Sequence, residues 1–349
     1  MRDFHKDEAS VTMEYMEADA DRINPELLKS IEGQKSELDR RRPFPPAVVR
    51  RLEEQFRLEW TYNSNAIEGN TLDLRETEMV LHHGVTIGKK SMKEHFEVLN
   101  HAKAIAELER FVASKRELTD DLILDLHRLM LTNIDNEDAG RFRQHNVRIM
   151  GAVHIPPQAI KVQRLVGELI AWYHSVRRTL PDTELAARVH HQIVHIHPFT
   201  DGNGRMARLV MNLLLMREGY SPAVILNVDR KRYYHTLQQA DADKPGPFID
   251  FIGRSVARSL NIYLNAMARS HETERHGYIP LSEAAERVPY SIEYLSYLAR
   301  THRLDAVKFG SKWMTTEEAL QTYQEQHGTT QKSPTLEKKP REPRGSLER

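Results

Sequence analysis

The sequence predicts a mainly α protein: a helical core with a small β-hairpin flap, plus a C-terminal winged helix-turn-helix-like domain. Three observations lead there. Apolar residues recur with helical period along most of the 349 residues. One stretch, Phe142–Ile155, breaks that period with short β-type runs. Beyond residue 270 the long helical segments give way to short ones.

In chain order, residues 1–44 read as an N-terminal helical extension. Pro45-Pro46 followed by AVVRRLEEQFRLEW opens a helix with proline in its first turn, where a missing N–H costs nothing. This helix starts a helical region spanning 45–116. Within it Leu72–His83 closes on Gly84, a natural C-terminal stop. Further helical patterns lie at Met92–Val112, Asp120–Leu131, Val162–Arg178, Glu184–His195, Met206–Glu218, Tyr233–Ala240 and Pro247–Ala266, and the core is assigned to 117–270. Thr119-Asp120 and Asp182-Thr183-Glu184 offer capping residues for two of them.

The interruption, FRQHNVRIMGAVHI, precedes Pro156-Pro157 and reads as a hairpin between helices. A polar linker follows at 271–278. In 279–327, Ser282 caps a short helix through Val288, and Pro289-Tyr290-Ser291 turns into Ile292–Arg300. Ala306–Met314 pivots at Gly310-Ser311 like a two-stranded wing, and Thr315-Thr316-Glu317-Glu318 offers a capping box for a last helix. The tail 328–349 has the composition of a disordered segment.

Composition narrows the function. Lys plus Arg and Asp plus Glu each number 50, so no global field draws the chain to nucleic acid or an anionic membrane. The absence of cysteine excludes disulfides, thiolate zinc sites and a cysteine nucleophile. The N-terminus is charged from Arg2 and shows no apolar signal region. No apolar run approaches the roughly 18 residues of a membrane span; the longest, Leu209–Met216, belongs to a core. A soluble cytoplasmic protein is expected.

The chemistry concentrates in His197–Arg208, HPFTDGNGRMAR, between two helical segments. Gly202 and Gly204 lack a Cβ, so backbone N–H groups can converge on an anion there. The helix that follows adds unsatisfied donors and the positive end of its dipole. Arg205 and Arg208 lie three apart on one face and can fork onto phosphate oxygens. Asp201 supplies a hard oxygen for Mg²⁺, and His197 has a pKa suited to a general base. Any one of these is commonplace in a loop; twelve residues holding all of them describe a phosphoryl- or nucleotidyl-transfer site.

HPFTDGNGRMAR resembles the Fic (Fido-domain) pattern HPFx[D/E]GNGRxxR at every specified position, and the resemblance extends over about 45–270. It implies transfer of AMP from ATP-Mg²⁺ to a Ser, Thr or Tyr hydroxyl of a target protein. By that resemblance His197 takes the hydroxyl proton and Asp201 holds Mg²⁺. Asn203 with the Gly202 and Gly204 backbone would hold the α-phosphate, and Arg205 and Arg208 the β- and γ-phosphates. Tyr233 and Tyr234 correspond to an aromatic pair beside the adenine. Family members often carry Asn seven residues after that pair; here Asp241 stands in its place. Other readings on the same fold are transfer of a different nucleotide or phosphocholine, removal of AMP, and a DNA-binding regulator whose core senses nucleotide.

Upstream, Thr61–Leu72 (TYNSNAIEGNTL) contains Ser64, Glu68 and Gly69 in the spacing of the family's inhibitory pattern [S/T]xxxE[G/N]. By resemblance, Glu68 pairs with Arg208, occupies the place of the γ-phosphate and leaves bound ATP misaligned. As a bare pattern it is only a short amphipathic helix stopped by glycine. Proteins with this motif ahead of the core are often dimers, and self-modification is expected.

His190, His191, His195 and His197 crowd together, and His191 and His195 have the i, i+4 spacing of a zinc pair. Gln192 stands where HExxH needs its glutamate, and no third ligand lies at a convincing spacing, so no zinc is expected. The flap residues Val147, Arg148, Ile149, Met150, Gly151, Ala152, Val153 and His154 resemble the family's edge strand for target docking. In 279–327, the bases Arg287, Arg300, Arg303, Lys308 and Lys312 face seven carboxylates, so protein docking is favoured over DNA binding.

Overall fold

The computed structural model describes residues 22–44, 46–275, 278–301, 303–309 and 312–327. Thirteen α-helices and three short strands form among these, in two compact units that divide between Met267 and Ala268. No helix among the described residues is long and apolar enough to cross a membrane.

In the first unit α1 (Pro25–Arg40) starts on Asn24, whose side chain accepts the Glu26 and Leu27 N–H groups. Helix α2 (Pro46–Ile67) is one continuous helix that takes in the Ser64 segment, so the inhibitory motif ends a long helix rather than forming a short one. Capping boxes open α3 (Leu74–His83), through Asp73 and Glu76, and α4 (Met92–Ala113), through Ser91 and Glu94. Gly84, left-handed at φ 61°, ends α3. Thr119 caps α5 (Asp120–Leu131) through the Leu122 N–H, and α6 covers Val162–Val176.

At the centre lie α7 (Asp182–Ile196) and α8 (Asn203–Arg217), packed along each other. Leu185–Ile193 and Met206–Leu215 are buried on every face, as expected of helices inside a core. Two boundaries differ from expectation. Pro181 takes the cap position of α7, so Asp182 and Glu184 sit in its first turn beside the dipole rather than capping it. Helix α8 begins at Asn203, because Gly202 at φ 82° serves as its cap. The motif's Asn203, Gly204 and Arg205 are therefore helical. Helices α9 (Arg230–Asp241) and α10 (Gly246–Arg275) follow, and the division between the units falls within α10. With neither Gly nor Pro after Gly253 to stop it, α10 continues through Arg275 where a linker was expected; 276 and 277 lie outside the described residues.

The expected hairpin flap forms no ladder. Residues 141–158 run as extended arms and bends around Met150-Gly151, with one backbone bond inside the segment, from the Ala152 N–H to the Ile149 carbonyl (3.3 Å), and one from the Arg143 N–H to the Pro198 carbonyl (3.0 Å). Side chains at the base take the place of strand pairing. The Arg143 guanidinium donates to the carbonyls of His145, Pro157 and His197, and Asn146 accepts the Ala159 N–H.

The second unit runs β1 (Tyr278–Pro280), α11 (Leu281–Arg287), α12 (Ile292–Arg300), β2 (Ala306–Phe309), β3 (Lys312–Thr316) and α13 (Glu317–His327). Its antiparallel sheet has the order β1-β3-β2, so β1 adds a strand the sequence did not suggest. Leu281, Ala284, Leu295, Leu298, Leu320 and Tyr323 share its small core. Pro280 rather than Ser282 caps α11, while Ser291 caps α12 and the Thr316 hydroxyl accepts the Ala319 N–H. Residues 1–21, the Gly310-Ser311 pivot and the tail 328–349 lie outside the described residues.

Candidate active site

His197 ends α7 in the left-handed region, at φ 52°, which turns the chain away from the helix axis and into the glycine loop. Its Nδ1–H donates to the Val194 carbonyl (3.3 Å), so Nε2 keeps its lone pair, the arrangement a general base needs. Burial, with the Arg143 charge nearby, pulls the imidazole pKa down to about 4, so it is neutral at pH 7. The turn itself is closed by Asn203. Its Oδ1 accepts the Phe199 N–H (2.9 Å) and its Nδ2 donates to the Phe199 carbonyl (2.8 Å). That side chain thus braces the loop.

His127, which no motif in the chain marks out, supports the loop. Its ring stacks on Phe199 with centroids 3.6 Å apart, donates from Nε2 to the Asp201 carbonyl (3.1 Å) and accepts the Gly140 N–H at Nδ1 (3.1 Å). Burial takes its pKa to about 4. The Asp201 carboxylate accepts the Gly202 N–H (2.6 Å) and lies 3.3 Å from Arg205 and 3.7 Å from Lys93. Burial opposes its ionisation, but Arg205, the Gly202 N–H and Lys93 hold its pKa below the usual range. Arg205 is buried between Asp201 and Glu97 (3.5 Å).

Arg208 is 1% exposed and is held by the end of α2. Its Nε donates to Ser64 Oγ (2.9 Å), and one terminal nitrogen donates both to the Ser64 carbonyl (2.8 Å) and to Glu68 Oε1 (2.7 Å). Burial works against the guanidinium charge, and Glu68 with Tyr233 more than offsets it, so its pKa is raised. Gly204 makes this approach feasible: a Cβ there would collide with the Glu68 carboxylate and meet Arg208 at 3.2 Å. Gly69, at φ 101°, ends the helix, and Arg230 donates to the Ile67 carbonyl (2.7 Å), binding one of the last carbonyls. The structure thus brings Ser64, Glu68 and Arg208 together as expected, and adds Gly204 beside the Glu68 carboxylate.

Three sites depart from expectation. Tyr233 is buried at 1% exposure, its hydroxyl against His190 (3.2 Å) and Arg208 (3.4 Å), so it is a core residue behind the arginine rather than a platform for adenine. Tyr234 is partly exposed and reaches Glu68 Oε2 (3.5 Å) and the Ile67 carbonyl (3.4 Å). Asp241 Oδ1 contacts His191 Nε2 (2.9 Å) and His195 Nδ1 (3.1 Å), so its carboxylate is engaged by the two histidines instead of standing free beside an adenine. Of the flap, Met150 is 99% and Val153 91% exposed, while His154 turns inward and stacks on His195.

Fold and site define a class: a helical domain in which a glycine-containing turn joins two buried helices, with a neutral histidine beside it and an upstream helix end bonded to the arginine that follows. A sequence profile described as the Fic/DOC family matches residues 117–215. Among curated proteins, protein adenylyltransferase Fic of Drosophila erecta is 37% identical over 219 residues, 62% of this chain and 44% of that protein. Among solved structures, Fic-1 (residues 134–508) of C. elegans aligns with a TM-score of 0.65 at 32% identity, covering 70% of this chain and 72% of that one. A Fic-domain-containing signaling protein of Bacteroides thetaiotaomicron aligns at 0.64 and 30% identity, covering 69% of this chain and 97% of that one. This chain belongs to the Fic family. It spans less than half the length of the Drosophila relative it matches.

Proposed function

We propose that the chain is a protein adenylyltransferase held inactive by the end of its own α2 helix. In the reaction, His197 Nε2 accepts the proton of a Ser, Thr or Tyr hydroxyl on a target protein. The oxygen attacks the α-phosphorus of ATP, the bond to the bridging oxygen breaks, and pyrophosphate leaves. The first-turn N–H groups of α8 and the buried guanidinium of Arg205 face the charge that develops. Asp201, ionised and at the loop edge, has the hard-oxygen chemistry that suits Mg²⁺, which would neutralise charge on the leaving phosphates.

One observation carries the inhibited state: the Arg208 guanidinium is bonded to Ser64 and Glu68. Glu68 occupies the donor that a γ-phosphate needs, so ATP entering the loop meets a carboxylate instead of a cation. A displacement of about 1 Å from in-line geometry costs on the order of a hundredfold in rate. The naming of the Drosophila relatives as protein adenylyltransferases supports the choice of AMP.

The test is incubation with α-³²P-ATP and Mg²⁺, followed by intact mass and peptide mapping. Wild type is expected to label itself weakly, Glu68→Gly on the order of a hundredfold more, and His197→Ala not at all. Equal labelling of wild type and Glu68→Gly would remove the inhibitory role. A mass shift other than AMP would replace the donor, and no label in Glu68→Gly would end the transferase reading.

A further inference from the structure

Around the active site the structure gathers a cluster with no part in the scheme above. His154 comes from the inner arm of the flap, His195 from the last turn of α7 and Asp241 from the last residue of α9. One ligand-capable atom of each lies within 4.8 Å of the other two. The three are separated by 41 and 46 positions in the chain, so no local motif unites them. His191 adds a contact at 2.9 Å to the same Asp241 oxygen. We propose that His154, His195 and Asp241 bind a borderline first-row divalent cation, with zinc as the probe, and that the ion fastens the flap to the core.

The donor set argues for this class of ion. Two imidazoles and a carboxylate suit zinc, nickel, copper or iron(II), whereas magnesium prefers an all-oxygen shell of the kind Asp201 offers. One carboxylate with two neutral imidazoles gives a dication a single compensating charge and leaves coordination positions for water, as three-ligand zinc sites do. The place is reachable, since the side chains of His195 and Asp241 are 31% and 15% exposed. Around Asp241, the His191 contact supplies the outer bond that orients a ligating carboxylate.

Closing on an ion needs a small movement, and the fold allows it. Bonds of about 2.1 Å set tetrahedral ligand atoms roughly 3.4 Å apart, against a present spread of up to 4.8 Å. The His154 and His195 rings lie nearly parallel, centroids 3.9 Å apart at 28°, so one must swing to turn its lone pair inward. His154 is the one that can: its arm has no ladder bonds beside the exposed Val153, and the swing exchanges its Nε2 bond to the His195 carbonyl (2.8 Å) for the ion. The local reading of the histidines had no third ligand because it counted only neighbours in sequence; folding supplies His154 and Asp241.

The experiment uses the full chain stripped with EDTA, without ATP, so it stands apart from the adenylyltransferase reading. Calorimetric titration with ZnCl₂ is expected to show one tight site, unaffected by millimolar Mg²⁺. His154→Ala and Asp241→Asn should each weaken it at least tenfold. Zinc should also slow tryptic cleavage after Arg148 in wild type and not in His154→Ala. His154 lies at the surface arm, so its variant is expected to fold, which circular dichroism checks. No zinc binding, or binding equally tight in His154→Ala, would overturn the site; tight binding without protection of Arg148 would overturn the fastening role.

Discussion

Two segments border the glycine loop, and they are held in opposite ways. The end of α2 is buried: Ser64 and Asn65 are 1% and 2% exposed, and its Ser64 and Glu68 groups take three hydrogen bonds from Arg208. The flap is open, with Met150 and Val153 almost fully exposed and side chains at its base in place of a ladder. One neighbour of the site is therefore anchored and the other open; under the proposed function the first serves as a lock and the second as a landing place for the target. The lock uses an ion pair whose arginine is inaccessible to water, where each polar contact counts for more. On that proposal the flap, which has no ladder, keeps backbone groups available for another chain.

The largest effect that tests this contrast comes from Arg208→Ala. It strands the Ser64 hydroxyl oxygen, removes a bond from the Ser64 carbonyl, leaves the Tyr233 hydroxyl to His190 and leaves Glu68 without its cation. Removing one partner of a buried pair costs about 3 kcal/mol or more, and Glu68, 32% exposed, recovers part of that by turning to water. A loss of roughly 2–3 kcal/mol in urea denaturation is expected, together with loss of AMP transfer even in the Glu68→Gly background. Unchanged stability would mean that α2 is not locked through this residue.

Acid tests the loop between the two segments. His127 and His197 each have pKa near 4 in the fold, below the ordinary 6.5, because burial disfavours their charged forms. Between pH 6.5 and 4 the unfolded chain binds more protons than the folded one, so stability is full above 6.5 and falls as pH drops through that window. For His127 the loss approaches roughly 3 kcal/mol. Denaturation midpoints measured at pH 7.5, 6 and 5 should decline, and more shallowly in His127→Phe. The base His197 should stay active down to about pH 5, rather than fading below 6.5 as an unperturbed histidine would.

Ser64→Ala is the gentler way to loosen the lock. It removes one bond to a charged donor, worth about 1.5–3 kcal/mol, yet leaves the Ser64 carbonyl and Glu68 in place. Self-labelling should fall between wild type and Glu68→Gly. Full activation would put the lock on the hydroxyl instead of the carboxylate.

The lock was legible in the sequence and most of the rest was not, for a physical reason. Ser64, Glu68, Gly204 and Arg208 belong to short patterns with fixed spacing, and helix geometry alone puts their groups on the right faces. Helix positions were likewise readable from apolar period, as Asp120–Leu131 and Ile292–Arg300 illustrate. Tyr233, Asp241 and His154 were misplaced because their partners come from distant elements: His190, the pair His191 and His195, and His195 again. The flap misled for another reason. Val147–His154 has strand-forming residues, but propensity describes a fit to a neighbouring strand, and none pairs with it among the described residues.

That last point yields the smallest expected change in stability and the sharpest test of the contrast. Met150→Ser and Val153→Ser alter side chains that touch almost nothing, being 99% and 91% exposed. Surface substitutions of this kind stay within about 0.5 kcal/mol, so urea midpoints should match wild type. Placed in the Glu68→Gly background, the same changes should leave ATP affinity intact, because no nucleotide-facing group is altered, and should slow modification of a separate target through its apparent KM rather than kcat. A flap that is merely a cover would give no KM effect, and one that packs on the core would lower the midpoint. Only a landing surface combines silence in stability with a cost in target binding.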